Sequence, residues 1–266
     1  MDNILVVKIG GGAGLDIAET CADIAEIAQS RPTIIVHGVS ERMAQLSAQR
    51  QIPVEMLTSP TGHTSRYTPP AVRDLFVEAA QQVNEMIIQH LARYNRPADG
   101  LITPIVIRGT RKRAIRSVQD GRVRIIRDDY TGSIETIDTE PIIATLQRGA
   151  IAVIPPIADS PDGLLNVDGD RGAAAVAGAM DAAQLLIMTN VRGLYRDYPD
   201  ETSFISHVPR QQLDIAMQWA QGRMKRKILS VHEAMDSGVS QVIISDGRIQ
   251  HPIQQALAGE GTVFTA

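Results

Sequence analysis

Ile4-Leu-Val-Val-Lys-Ile-Gly-Gly-Gly-Ala-Gly14 joins an apolar run to a run of glycines, and its reading decides the fold. Ile4 to Ile9 carry the β-branched and long apolar side chains of a strand covered on both faces, interrupted only by Lys8. At the carboxyl end of a strand in an open α/β sheet, a lysine faces the crevice where ligands bind. Glycines at that point let backbone N–H groups approach a phosphate closely. A helix is expected over Asp16 to Gln29, with Ile17, Cys21, Ile24 and Ala28 on one apolar stripe. The plain alternative is an ordinary strand-to-helix turn with a snorkelling lysine. Two familiar phosphate devices fail on spacing. Counting a dinucleotide fingerprint from Gly10 ends on Leu15 and from Gly12 on Ile17, and no Gly-Lys pair for a Walker loop occurs anywhere.

The chain's 266 residues allow one large or two modest domains, and 44% hydrophobic with 21% charged residues is ordinary for a globular protein. A net charge of −4 and an aromatic content of 3% argue against general nucleic-acid affinity and base stacking. The single Cys21 excludes an internal disulfide and suits a reducing compartment. Asp2 stands where a leader would carry basic residues, and no later apolar stretch approaches bilayer length, so a soluble cytoplasmic protein is expected.

Outward from the glycine turn, Pro32-Thr-Ile-Ile-Val-His-Gly38 reads as a second buried strand ending in a turn, with Ser40 placed to cap the next helix. If the two strands are parallel neighbours, Gly38 lies beside Gly10 to Gly12. Thr58 to Thr68 is a polar segment that brings Arg66, a candidate anion clamp or a solvated loop arginine, ahead of Pro69-Pro70 and a helix to about His90. Ala114 to Val118 and Val123 to Ile126 flank an Asp-Gly hairpin signal. From Arg108 to Arg127 there are eight basic residues against Asp120, a charge of +7 that leaves −11 for the rest of the chain. Charge is therefore segregated.

Further along, Pro141 suits the first turn of a helix that Gly149 ends, and Ile151 to Ile154 is another buried strand. Leu165-Asn-Val-Asp-Gly-Asp170 opens a helix from Ala173 to Met180; its acidic and amide side chains can cap the turn or hold a hydroxyl or a phosphate-bound Mg²⁺. The alternation continues with a strand from Leu185 to Met188, an exposed loop around Thr189-Asn190, and a helix near Pro209 to Met217. A helix opened by Gly222-Arg-Met-Lys-Arg-Lys227 and a strand from Gln241 to Ser245 follow. Cations at that helix's amino end oppose its dipole, which points to a bound anion. Strands and helices alternating from end to end give a mostly parallel sheet between helical layers. The six histidines are scattered and with one cysteine form no metal-ligand spacing, and no Gly-x-Ser-x-Gly elbow is present.

Taken together and in order, these motifs resemble the amino acid kinase family over nearly the full length. They are Val7-Lys-Ile-Gly-Gly11, Val36-His-Gly-Val-Ser40, Leu57-Thr-Ser-Pro60, Ser65-Arg66, Asp129-Tyr-Thr-Gly132, Asn166-Val-Asp-Gly-Asp170, Thr189-Asn-Val-Arg-Gly-Leu194 and Gln221-Gly-Arg-Met-Lys-Arg-Lys227. Within that family the chain looks most like the acetylglutamate kinase branch, and there like kinases acting on α-aminoadipate or glutamate carried by an amino-group carrier protein. The resemblance implies an αβα sandwich, with residues 1–165 as the acyl-substrate lobe and 166–266 as the lobe for ATP and its Mg²⁺. By resemblance, Lys8 and Lys227 stabilise the transferring phosphoryl group and Asp170 orients them. Gly11, Gly38 and the backbone at Val39 bind phosphoryl and carboxylate, and Arg66 and Asn166 hold the substrate's other end. Gly10, Thr189, Asn190, Tyr195 and Met224 fall at the nucleotide. No residue is implied as a resident metal ligand.

The same resemblance implies that the basic segment Arg108 to Arg127 docks a small acidic carrier protein, in lysine and arginine biosynthesis, and that the chain forms at least a homodimer. Val39 replaces a second glycine, so its methyls are expected to crowd the substrate backbone. The loop near Leu101 to Ile107 looks shortened around Ile-Thr-Pro-Ile105, and Glu85 follows Asn84 where a lysine is usual. Two other functions stay open on this fold. One is an N-acetylglutamate kinase acting on the free small molecule, and the other a non-catalytic amino-acid or nucleotide sensor.

Overall fold

Eight strands form the central sheet: β1 (Leu5–Ile9), β2 (Thr33–His37), β3 (Ala98–Gly100), β4 (Ile151–Ile154), β5 (Gln184–Thr189), β6 (His207–Pro209), β7 (Gln241–Asp246) and β8 (Thr262–Thr265). Their spatial order is β6-β8-β7-β5-β1-β2-β4-β3. β8 runs antiparallel to β7 and parallel to β6, while β7, β5, β1, β2, β4 and β3 are all mutually parallel. β1 is thus a central strand, and all five of its residues are buried. This computed structural model describes residues 3–60, 62, 64–119 and 121–266. The N-terminal Asp2, His63 and the hairpin's Asp120 lie outside the described residues, as do Met1 and Thr61.

Side chains alternate across the sheet, so the same strands feed two cores. Val6, Ile34, Ala152, Leu185 and Val242 pack with α4 (Thr139–Gln147), α5 (Gly169–Ala179), α6 (Leu213–Trp219) and α7 (Met224–Asp236). Leu5, Ile35, Val153, Leu186 and Ile243 pack on the other face with α1 (Ile17–Ile27), α2 (Ser40–Arg50), α3 (Pro70–Ala92) and α8 (Pro252–Leu257). The expected three-layer αβα sandwich is present. Pro209 closes β6 rather than opening a helix; a 3₁₀ turn at Arg210–Gln212 precedes α6.

A smaller sheet of Leu165–Asn166, Ile157–Asp159, Ile107–Arg111 and Gly132–Ile137 shares the core with α4 and α5. Two hairpins project near it. In one, Met56–Thr58 pairs with Thr64–Arg66, so the stretch read only as polar contains a short ladder. The other is the basic hairpin, Ile115–Gln119 with Arg122–Ile126.

Candidate active site

The parallel register sets Ile9 beside His37, and the Gly38 N–H donates to the Ile9 carbonyl at 2.9 Å. The turns after β1 and β2 then meet backbone on backbone. A Cβ added to Gly11 would lie 2.3 Å from the Val39 nitrogen, and one added to Gly38 would lie 2.5 Å from the Gly11 nitrogen. A Cβ on Gly10 would lie 2.9 Å from the Met188 carbonyl of β5. Glycine is required because three strand ends converge here.

Two expectations about this turn are corrected. Ser40 is the first residue of α2 and does not cap it; Val39 holds the cap position without a side-chain bond. The Gly11 carbonyl instead accepts from the Glu41 N–H at 2.7 Å, which satisfies an amide of the first turn from the neighbouring loop. Val39 does not crowd the turn either. Its side chain is buried in the α1–α3 core at an unstrained φ of −133°, so only its backbone faces the glycines.

Lys8, at the end of β1, reaches Asp170 Oδ1 at 2.6 Å, and Lys227 in the first turn of α7 reaches Asp170 Oδ2 at 3.1 Å. All three are at most 8% exposed. Asp170 is placed by Asp168, the N-cap of α5, whose Oδ1 accepts from the Asp170 and Arg171 N–H groups at 2.9 and 3.1 Å. Asp168 Oδ2 also faces Arg226 of α7 at 3.4 Å, tying the two helix starts together.

Burial pushes the Asp170 carboxyl upward, but Lys227 and Lys8 outweigh it and hold it well below the usual carboxylate range. Burial lowers the Lys227 pKa, against the pull of Asp170 and with help from Lys8. Two ammonium groups share one carboxylate, so the buried centre carries a net positive charge that calls for an anion. His37 beside it contributes none: full burial lowers its pKa to about 4, and the nearby Lys8 acts in the same direction. Asn84 donates to His37 Nε2 at 3.3 Å and to the Val153 carbonyl at 3.0 Å. The His37–Asn84 pair was not assigned a role from sequence; a histidine closing a buried strand was its only signal.

Arg66 ends the Met56–Arg66 hairpin half-buried, and its Nε has no hydrogen-bond partner among the described residues. Burial and the neighbouring Arg223 guanidinium both lower its pKa. Arg66 and Arg223, the residue before α7, are therefore close enough for their charges to repel. Arg223 lay in a quoted motif without an assigned role, because nothing local in sequence pairs it with a residue 157 positions earlier. Asn166 lies in the same wall, its Nδ2 donating to Thr68 Oγ1 at 3.0 Å.

A cavity of about 270 Å³ opens on the other side of Lys227. It is lined by Thr189, Asn190, Tyr195, Trp219, Arg223 and Met224 among others. Four of the five residues expected at the nucleotide are thus together, while Gly10 lies beneath against β5. Thr189 is buried rather than in an exposed loop, since it is the last residue of β5 and its carbonyl accepts from the Gly247 N–H at 2.8 Å. Among the described residues no group of three or more histidine, cysteine or acidic side chains is placed to hold a metal. Asp168 and Asp170 are both engaged by cations, Arg226 for the first and Lys8 and Lys227 for the second.

The basic segment divides into charges used internally and charges presented outward. Arg108 pairs with Asp159 at 2.5 Å and with Asp138 at 3.5 Å. Arg111 donates to the carbonyls of Asp129 and Arg127, both at 2.8 Å. Arg113, Arg116, Arg122 and Arg127 are exposed. On one face of the hairpin, Arg116 stands opposite Ile125 and Val118 opposite Val123, with Ile125 57%, Val123 50% and Val118 39% exposed. Lys112 stays partly solvent-exposed, yet burial against the cleft and the adjacent Arg171 lower its pKa.

This geometry has relatives. The profile of the amino acid kinase family matches residues 3–246. The chain belongs to that family. It is 40% identical to the [LysW]-aminoadipate kinase of Deinococcus radiodurans, over 99% of this chain and 92% of that one. It is 31% identical to the [LysW]-aminoadipate/[LysW]-glutamate kinase of Sulfolobus acidocaldarius, over 98% of this chain and 100% of the other. Among solved structures, the amino acid kinase fold recurs in the N-acetylglutamate synthase of Neisseria gonorrhoeae. That match has a TM-score of 0.81 at 23% identity and covers 99% of this chain and 59% of that one. The carbamate kinase of Giardia lamblia bound to AMP-PNP matches at a TM-score of 0.69 and 15% identity, over 99% and 98% of the two chains.

Proposed function

We propose that this member of the family is an ATP-dependent kinase of the side-chain carboxylate of carrier-linked L-2-aminoadipate, glutamate or both. One observation carries the reading: two buried ammonium groups share a single carboxylate in front of glycine turns, between a cavity and a wall bearing Arg66, whose Nε has no hydrogen-bond partner among the described residues. Phosphoryl transfer asks mainly for positioning and neutralisation of charge. A substrate carboxylate oxygen attacks the γ-phosphorus, the bond to the β–γ bridging oxygen breaks, and an acyl phosphate and ADP result. The carboxylate is already ionised at neutral pH, so no base is needed.

In this reading Lys8 and Lys227 flank the transferring group and Asp170 holds them apart. N–H groups of the Gly11 and Gly38 turns receive phosphoryl and carboxylate oxygens, and Arg66 and Asn166 receive the rest of the acyl group. Thr189, Asn190, Tyr195 and Met224 surround the nucleotide, whose phosphates bring Mg²⁺. The acyl side falls in residues 1–165 and the nucleotide side in 166–266. The exposed arginines and apolar side chains of the basic hairpin form the seat for an acidic carrier protein. A mixed apolar and basic face suits a protein partner better than nucleic acid. The names of the Deinococcus and Sulfolobus relatives support the carrier and its place in lysine biosynthesis. A role in arginine biosynthesis, a cytoplasmic location and a homodimeric or larger assembly are part of the same proposal. Among the described residues no helix is long and apolar enough to cross a membrane.

The test traps the acyl phosphate with hydroxylamine in the presence of Mg-ATP. Carrier-linked aminoadipate or glutamate is expected to yield hydroxamate with higher kcat/KM than N-acetylglutamate. No hydroxamate from any of them would make the chain a sensor; equal efficiency on the free compound would remove the carrier from its function.

A further inference from the structure

Four short segments meet beneath Arg66 and Asn166, and one buried carboxylate joins two of them. Asp129 is fully buried; its Oδ2 accepts the Thr68 N–H at 2.9 Å and its Oδ1 accepts the Thr131 N–H at 2.7 Å. Thr68 in turn fixes both substrate-side residues. Its hydroxyl donates to the Arg66 carbonyl at 3.0 Å and accepts from Asn166 Nδ2 at 3.0 Å. Tyr130 closes the lattice, donating its N–H to the Thr68 carbonyl at 2.8 Å and accepting the Asn166 N–H at 2.9 Å.

The same lattice anchors the basic hairpin. Arg111 precedes the hairpin and Arg127 follows it, and the Arg111 guanidinium bridges them by donating to the carbonyls of Arg127 and Asp129. That guanidinium lies 3.9 Å from the centre of the Tyr130 ring, and Arg73 from the first turn of α3 packs on the same ring at 4.6 Å. The Lys112 N–H adds a bond to the Thr131 carbonyl at 3.0 Å. Arg111 thus turns its Nε, one Nη and the face of its guanidinium to the fold, so its charge serves geometry rather than a partner. Two buried polar atoms on the lattice, Arg66 Nε and Thr131 Oγ1, have no hydrogen-bond partner among the described residues.

We propose that Asp129, Tyr130 and Arg111 are positioning residues that couple the seat of the basic hairpin to Arg66 and Asn166, so that a docked carrier sets the grip on its own acyl group. This rests on the reading of the hairpin as the carrier seat. Interactions this well determined have few alternative arrangements, and the shift of one stem is transmitted to the wall because Asp129 holds residues 68 and 131 together.

The experiment pairs hydrogen exchange with kinetics in Arg111→Lys, which keeps the charge but loses the fork and the ring stacking. Asp129→Asn is the stronger companion, since an amide offers one acceptor where two N–H groups need two. Coupling predicts faster amide exchange in Arg111→Lys at both the hairpin stems and residues 66–68, with exchange in β5 and β7 unchanged. It also predicts roughly a tenfold rise in KM for the acyl substrate, carrier-linked or N-acetylated, with KM for ATP unmoved. Exchange confined to the stems, or KM rising equally for ATP, would overturn it. Failure of wild type to form any acyl phosphate would overturn the kinase reading, while the exchange result would still decide the coupling.

Discussion

The phosphoryl centre and the basic hairpin both concentrate positive charge, and they do so by opposite physics. At the centre only two lysines are involved, but both are almost completely buried and share Asp170, so each unit of charge acts at low dielectric and short range. The hairpin gathers more cations, yet Arg108 and Arg111 are consumed by internal partners while Arg113, Arg116, Arg122 and Arg127 are exposed. In the proposed function, charge that does chemistry is scarce and buried, while charge that steers a macromolecule is plentiful and screened by salt.

The sharpest break in that comparison comes from removing one buried lysine. Lys8→Ala and Lys227→Ala should each lower kcat by at least about 100-fold, since each removes charge that matters most as the phosphoryl group transfers. Neither should unfold the protein, because Asp170 keeps one ammonium partner in either variant. Asp170→Asn should instead lower the melting temperature, leaving two buried ammonium groups without a counter-charge. Turnover and thermal melts on the three variants check this; a loss in kcat no larger than about threefold for the lysine variants would sink the assignment.

Next in size is the hairpin. An Arg113, Arg116, Arg122 triple alanine variant should lose roughly tenfold in kcat/KM for the carrier-linked substrate at low salt, and the loss should shrink as salt rises. N-acetylated substrate should be turned over as in wild type. Measuring both substrates at low and high ionic strength decides it. An equal loss on both would mean that these arginines act through the fold, as Arg111 does.

The two regions also differ in how far the sequence discloses them. Lys8 interrupting a buried strand and glycines at two successive strand ends were legible because each breaks a local rule, whereas Asp170 at a helix start breaks none and was read through the family resemblance. Their parallel register followed from topology alone. The hairpin's ladder was equally visible from Asp-Gly between short β-like runs. Hidden were approaches over long separations: Arg66 near enough to Arg223 to feel its charge, Arg111 folded onto Tyr130, and Lys112 near enough to Arg171 to feel its charge. The +7 count treated every cation as outward, because composition cannot distinguish a guanidinium that satisfies carbonyls from one in water. Val39 misled for a related reason. Residue type announced bulk at the glycine turn, whereas the backbone of α2's first turn carries that bulk into the core.

The smallest expected effect concerns the one ionisable group that the centre keeps neutral. His37 is fully buried near Lys8, which already shares its one carboxylate partner, Asp170, with Lys227, and an added positive charge there is opposed by both burial and Lys8. Its folded pKa of about 4 lies below the unfolded value of 6.5, so between those limits the unfolded chain binds the extra proton. Stability should therefore be unaffected by this group above pH 6.5, fall as pH drops below it, and stop falling through His37 near pH 4. At pH 5.5 the loss amounts to about 1.4 kcal/mol, or a few degrees in melting temperature for a chain of this size. His37→Gln keeps an acceptor for Asn84 but cannot titrate. Melting both proteins from pH 7.5 to 5 should give curves that diverge below pH 6.5, the wild type falling faster, because other titrating groups cancel in the difference. Parallel curves would mean that His37 accepts a proton in the folded state, and that the centre tolerates more positive charge than the sharing of Asp170 by two lysines implies.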